Sequence, residues 1–466
     1  MLNVPFSPMR TRCFVLCVFG LASILGAALS ARAQSYLSQV GRPSFGTPVP
    51  VELGYYDAST GDLHLQIPLG SWPQRGGYPL SAALVYDSRI WYINNNTWQP
   101  TNVPNSNGGW RLQVTPTGGG RTSYSHFIVN CGDPGQRYTY NQNFTWTDPF
   151  GTLHTFPIYT QEDPTVCNGG DIPSDQEYAN DGTGYLMSVT DFTTISAVYS
   201  VDGSQVYPTF EDTNGNYFSS DANGNVIDNL GRTPVKVTTN CNGNSNQICY
   251  DVLNSQFNGS TGTSRYTVTT ESISVQTSFG QSGITEYSGS ITVFQVISVP
   301  DGTSYQFTYD NGGAGTYGEL TGLTLPTQGS ISYTYTTYSD MFSNRNRWLY
   351  TRTSGGGQWT YSPVRLGMCP SGYSFCQQVA VFKPNGDQIQ YNFSSNSGSN
   401  GSWLTSQQYN PPNSILSITT TWTSTVNGAQ KATVTTQRLD AGSPYPTSAV
   451  QYTYANNLPM VSKVSE

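Results

Sequence analysis

Apolar and polar positions alternate with a period of two through most of this chain. Leu63-His-Leu-Gln-Ile67 and Leu80-Ser-Ala-Ala-Leu-Val-Tyr86 read as strands, because side chains along a strand point alternately to its two faces. Further strands are predicted at 110–115, 123–130, 143–147 and 152–157, and at Tyr185–Val189 and Ala197–Val201. The alternation is almost continuous from 263 to about 310 and returns at 329–338, 346–361, 377–393, 414–437 and 446–454. Residues 157–183, with their Asp and Pro, predict a long irregular stretch. After the N-terminal leader no helical period of apolar residues extends beyond two turns, and the helix formers Lys, Glu and Leu are scarce. The expected fold is all-β, made of antiparallel, hairpin-rich sheets.

A glycine turn recurs between these strands. Asp148-Pro-Phe-Gly151, Asp202-Gly203, Asp301-Gly302 and Asn385-Gly386 each feed an alternating strand that carries an aromatic. Glycine supplies the positive φ that a tight hairpin turn of the primed type requires. Between 210 and 235 the units Asp212–Asn216, Asp221–Asn225 and Asp228–Arg232 leave room for only short strands. These turns offer oxygen ligands, so calcium is an alternative to a plain hairpin. Each unit nevertheless brings one acid, unlike the alternating acids of an EF-hand loop.

Composition adds a compartment. Charged residues are only 10% of the chain, while 32 tyrosines and an aromatic fraction of 13% argue against disorder. Arg10 and Arg12 precede an apolar run from Cys13 to Leu29, and Ala31-Arg-Ala33 follows it. That order is a secretory signal over 1–33, with the mature chain starting near Gln34. An uncleaved anchor is the alternative reading, but the run is short for a membrane span, and no later segment is apolar enough to be one. Losing the leader moves the net charge from −8 to −11. An acidic body with four lysines has no basic stripe for nucleic acid. Of the cysteines outside the leader, the sequence-neighbour pairs are Cys131–Cys167, Cys241–Cys249 and Cys369–Cys376. Export favours disulfides over a metal site, for which no C-x-x-C pair or Cys/His cluster is present.

Candidate chemistry is sparse. His64, His126 and His154 lie in or beside predicted strands, where solvent-facing polar positions are expected. Asp57, Asp62 and Asp87 group near the first hairpin, but turn chemistry accounts for Asp62 and Asp87, and no carboxylate pair for glycoside hydrolysis can be singled out. Gly118–Gly120 and Gly355–Gly357 lack the lysine and helix of a phosphate cradle. Trp91, Trp98 and Trp110 crowd an Asn-rich stretch: they are either core residues or a platform for stacking on a sugar. No cofactor is implied.

Several of these segments together resemble the bacterial secreted Rhs/YD-repeat family. Asp228-Asn-Leu-Gly-Arg232 fits its D-x-x-G-R turn, Asp212–Asn216 and Asp221–Asn225 look like the D-x-x-G-N variant, and Tyr309-Asp310 looks like the Y-D element. Leu325-Pro-Thr-Gln-Gly329 with Tyr333-Thr-Tyr335 is similar to its linking segments, and Thr60–Pro68 with Leu84–Ser88 resembles the region before the repeats. The pieces cover about a third of the chain. The resemblance implies a sandwich-like N-terminal β domain over 34–200 and a YD-repeat-like sheet over 201–466. It also implies an exported, non-enzymatic scaffold or surface-interaction protein, at the cell surface or secreted, with a glycan or protein as partner. A carbohydrate-binding module or glycoside hydrolase is the alternative.

Overall fold

A computed structural model describes residues 36–465 apart from 77, 102–106, 222–224, 255–261, 397–400, 426–427, 442–444 and 456–457. The leader and Ala222–Gly224 of one predicted turn lie outside the described residues. Every strand pairing within the sheets is antiparallel. The first sheet runs Pro48–Val51, Gly54–Asp57, Leu63–Trp72, Leu80–Asp87 and Trp110–Thr115 in spatial order. A second sheet centres on Arg137–Thr147, flanked by Arg121–Asn130 on one side and by Leu153–Phe156 and Thr160–Glu162 on the other. A third runs Asp175–Tyr178, Leu186–Thr190, Thr194–Tyr199 and Gln205–Tyr207. The region expected to be irregular therefore contains two short strands. From Val235–Thr239 to Leu458–Ser465 the chain forms one large sheet of 16 strands in strict sequence order. Two 3₁₀ turns, Tyr36–Ser38 and Cys241–Gly243, are the helical segments among the described residues.

The recurring turn explains this order. In Asp148–Thr152, Ser200–Ser204, Asp212–Asn216, Asp228–Arg232, Val299–Thr303 and Lys383–Asp387 the first N–H donates to the fifth carbonyl, and the fourth N–H returns to the first carbonyl. The fourth residue takes positive φ, from 73° at Gly231 to 92° at Gly151. This is a β-turn followed by a left-handed bulge residue, a three-residue hairpin loop and not the two-residue primed turn expected from sequence. Where the first residue is Asp, its Oδ1 accepts the third and fifth N–H groups, as Asp212 does from Asn214 at 2.9 Å and Asn216 at 2.8 Å. In Asp228–Arg232 the arginine Nε donates back to Asp228 Oδ2 at 2.8 Å. Leu325–Gly329 and Asp340–Asn344 repeat the loop with Gln328 and Ser343 at the positive-φ position, at 66° and 69°.

The first sheet buries one face on the large sheet. Leu65, Ile67, Leu84, Tyr86 and Trp110 share that face by register and are buried. They meet Phe294, Phe307, Tyr309, Leu320 and Trp348 of the large sheet in one hydrophobic cluster. Residues 36–466 thus form one compact unit. The opposite face of the large sheet carries exposed Thr, Ser and Gln, as in Ser304–Tyr309, where Gln306 and Thr308 are exposed and Phe307 and Tyr309 buried. The last four strands, from Leu416–Thr425 onward, contribute nothing to the buried hydrophobic cluster among the described residues. The final strand leaves Met460, Val461 and Val464 exposed, with Leu458 resting against Gly184 of the third sheet's loop.

The cysteines pair as expected, Cys131–Cys167, Cys241–Cys249 and Cys369–Cys376. Loop closure predicts that removing Cys131–Cys167, which spans 36 residues, costs about 4 kcal/mol, against about 2.5 kcal/mol for Cys241–Cys249, which spans 8. Double Cys→Ser variants compared in urea will give that order; equal losses would contradict it.

The glycine positions yield a second expectation. Gly61 holds φ 79°, and a Cβ there would stand 2.2 Å from the buried Trp348 ring, whereas one at Gly231 meets nothing within 4 Å. Gly231→Ala should cost about 1 kcal/mol of backbone strain, and Gly61→Ala about 3 kcal/mol or more, because overlap adds to strain. The reverse change, Gln328→Gly, should stabilise by about 0.5–1 kcal/mol. Equilibrium denaturation of the three variants checks both signs.

Candidate functional site

The three tryptophans proposed as a sugar platform are buried, at 1%, 1% and 0% exposure for Trp91, Trp98 and Trp110. Trp91 Nε1 donates to the Tyr317 carbonyl at 2.9 Å and Trp110 Nε1 to the Tyr309 hydroxyl at 3.0 Å. Trp98 stacks on Phe279 with centroids 3.8 Å apart. Of the two readings the sequence left, core and sugar contact, the core is the one observed: burial of the rings takes all three out of reach of a sugar, and two of the three indole N–H groups find partners inside.

Two of the three histidines are also withdrawn from solvent. His126 is exposed, as expected. His64 Nδ1 lies 2.7 Å from Asp87 Oδ1, and Arg111 pairs with the other oxygen. Burial opposes the charge on Asp87, but Arg111 and His64 outweigh it and hold the carboxyl low. Asp62 accepts from the Ser88 hydroxyl at 2.7 Å, and burial together with Asp87 pushes its pKa up. Glu319, buried under a two-pronged contact with Arg347 at 2.9 Å on each prong, is raised to about 7. Arg89 donates to the carbonyls of Thr60 and Arg347, joining this network to the large sheet. Asp87 is therefore an internal strut, and Asp62 combines that role with the turn role expected from sequence, its carbonyl accepting the Asp57 N–H at 2.8 Å. Asp57 shares the turn role, with Oδ1 accepting the Ser59 N–H at 2.9 Å.

The accessible site lies elsewhere, where the second and third sheets meet the end of the first. The Asp148–Thr152 turn joins strands Arg137–Thr147 and Leu153–Phe156. Asp148 Oδ1 accepts Phe150 N and Thr152 N at 2.9 and 2.8 Å, leaving Oδ2 free to face His154. His154 is buried between two carboxylates: Nδ1 donates to Asp181 Oδ2 at 2.7 Å, while Nε2 stands 3.6 Å from Asp148 Oδ2, an ion-pair distance beyond hydrogen bonding. Its ring stacks on Trp146 and meets Tyr185 edge-on. Burial opposes its charge, but the two carboxylates prevail and push its pKa up to about 9. Across from Asp148, the Ser200–Ser204 turn holds Asp202. Its oxygens accept from Ser204 N at 3.1 Å, from Ser204 Oγ at 3.2 Å, and from the hydroxyls of Ser200 and Tyr78. Those hydrogen bonds outweigh its desolvation and pull its pKa down to about 2. Between the two turns lies a cleft of about 250 Å³ with Asp148, Asp202 and five aromatic side chains in its wall.

Sequence reading located Asp148 and Asp202 as turn residues but could not aim them at one another. Tyr78 and Asp181 carried no signal, because their roles arise from pairings 124 and 27 residues apart. A second accessible feature is a shallow groove of about 900 Å³ on the outer face of the large sheet, lined by hydroxyls and amides such as Gln295, Gln306, Thr308, Ser330 and Ser332. Gly322 pairs with Thr308 and Ser332 and keeps the middle of the groove open. In the Asp-led turns Oδ1 is taken by backbone N–H groups, and among the described residues no group of His, Cys, Asp and Glu is arranged to hold a metal ion. No helix among the described residues is long and apolar enough to cross a membrane. No family model matches the chain, and no curated protein matches it.

The histidine has a pH signature. Its folded pKa of about 9 exceeds the ordinary 6.5, so its stabilising charge is fully present below pH 6.5 and is lost as pH rises through 9. The full difference is on the order of 3 kcal/mol. Unfolding free energies of wild type and His154→Gln should therefore differ most near pH 6 and converge toward pH 9 and above. A gap that widens with pH would contradict the assignment.

Proposed function

We propose that this chain is an exported, non-enzymatic β-scaffold whose large sheet presents an interaction face to a cell-surface partner, as the resemblance to secreted Rhs/YD-repeat proteins implies. The observation that carries this reading is the 16-stranded sheet itself, with its strands in sequence order, one face covered in part by the first sheet and the other exposing a hydroxyl- and amide-lined groove. The three disulfides suit an oxidising compartment. The buried acids serve internal ion pairs, Asp87 with His64 and Arg111 inside the first sheet and Glu319 with Arg347 inside the large one, which fits a framework. The milder form of the alternative, a carbohydrate-binding module, draws on the same groove, since amides and hydroxyls there can pair with sugar hydroxyls.

Residues 34–466 purified after export and screened against plant and microbial polysaccharides should release no reducing sugar. Ser332→Trp, which fills the exposed groove, should cut retention on intact cells at least tenfold while leaving the unfolding midpoint within about 2 °C. Turnover of a polysaccharide that disappears on a single Asp or Glu substitution would overturn the scaffold reading.

A further inference from the structure

The cleft between the Asp148 and Asp202 turns has a definite chemical bias. Its wall combines carboxylates with Tyr78, Phe150, Tyr185 and Phe210, and among the described residues no lysine, arginine or histidine side chain lines it. Behind the wall, the charged His154 offsets one of its two carboxylates, so Asp148, Asp181 and His154 together carry a net charge of −1. Asp202 adds a second negative charge at the mouth. Arg111 approaches from the first sheet, donating to the Phe150 carbonyl at 3.1 Å, but its charge is matched by Asp87. The local field therefore repels anions.

Hydrogen-bonding capacity narrows the ligand further. The hydroxyls of Tyr78 and Ser200 are already donated to Asp202, while those of Thr115 and Tyr185 stay open at the wall. Asp148 Oδ2 keeps acceptor capacity, because its neighbour His154 Nε2 is buried without a hydrogen-bond partner and too distant to donate to it. A neutral sugar makes no use of the negative field of the cleft. A donor-only cation with an apolar stem matches both the carboxylates and the aromatic wall.

We propose that this cleft binds an organic cation, a primary ammonium group on a short apolar stem. The proposal is independent of the groove on the large sheet. The same chemistry arises from a lysine side chain of a partner protein or from a free alkylamine, and the test separates them.

The test titrates the intact, oxidised mature chain, observed by amide chemical shifts, with n-butylammonium, n-butanol, butyrate, methyl glucoside and N-acetyl-lysine methylamide. The ammonium probes should saturate, with shifts centred on the 148–152 and 200–204 turns, and n-butanol, butyrate and methyl glucoside should bind at least tenfold more weakly. Asp202→Asn should weaken ammonium binding at least tenfold. Val201→Arg should abolish it, because Val201 is 65% exposed at the rim and an arginine there places a competing cation over the mouth without disturbing the core. Tighter binding of the lysine amide than of n-butylammonium assigns a partner's side chain, and the reverse order assigns a free amine; both uphold the proposal. Saturable butyrate or methyl glucoside binding as tight as that of the ammonium probes would overturn it. So would no saturable binding of either ammonium probe to the folded chain, or unchanged affinity in both variants.

Discussion

The structure depends on the seam between the first sheet and the large sheet. Trp72, Trp91 and Trp110 are buried there, and each donates its indole N–H across it: Trp72 to the Leu253 carbonyl at 2.8 Å, Trp91 to that of Tyr317, and Trp110 to the Tyr309 hydroxyl. Tyr309 passes the chain on to the Phe294 carbonyl, while the Tyr86 hydroxyl accepts the Leu320 N–H at 3.0 Å. Satisfying their polar tips offsets the cost of burying them. Here the partners lie some 180 to 230 residues away, so the seam also fixes the register of one sheet on the other. A large sheet with one face bare would expose a long apolar patch; the first sheet removes it.

The same seam decides where polar chemistry can appear. Arg89, Arg347 and Glu319 lie inside it, as do Asn346, which reaches the carbonyls of Leu37 and Trp91, and Gln377, which reaches that of Ser59. These groups bridge loops of the first sheet to strands of the large one and are enclosed by it. What remains open to solvent is the outer face of the large sheet and the cleft formed by the small sheets at its flank. The scaffold reading and the cation-binding cleft thus occupy separate surfaces of one unit.

Local chemistry was legible in the sequence, and long-range chemistry was not. The period-two pattern placed strands such as Ser330–Ser339 and Phe375–Phe382 to within a few residues, because alternation reports directly on a one-sided sheet. The Asp and Gly positions marked the turns, although hydrogen bonding revealed a bulged three-residue loop. His64 and His154 were misplaced because a polar residue on an alternating strand reads as solvent-facing. His154 instead shares the covered face of Leu153–Phe156 with Phe156, and His64 is half-buried against Asp87. The tryptophans could not be resolved because their partners are set by tertiary packing. The cleft was invisible for the same reason: Tyr78 and Asp202 meet only after three sheets have assembled.

If the seam makes the chain one cooperative unit, strands on either side of residue 200 must open together. Native-state hydrogen exchange of the oxidised protein, for wild type and Trp110→Ala, measures this directly. The account predicts that the most protected amides of Leu80–Asp87 and of Ser304–Tyr309 exchange with the same free energy. It also predicts that Trp110→Ala lowers both by a common amount of about 3–5 kcal/mol. Protection lost in Leu80–Asp87 alone, with Ser304–Tyr309 unchanged, would contradict it.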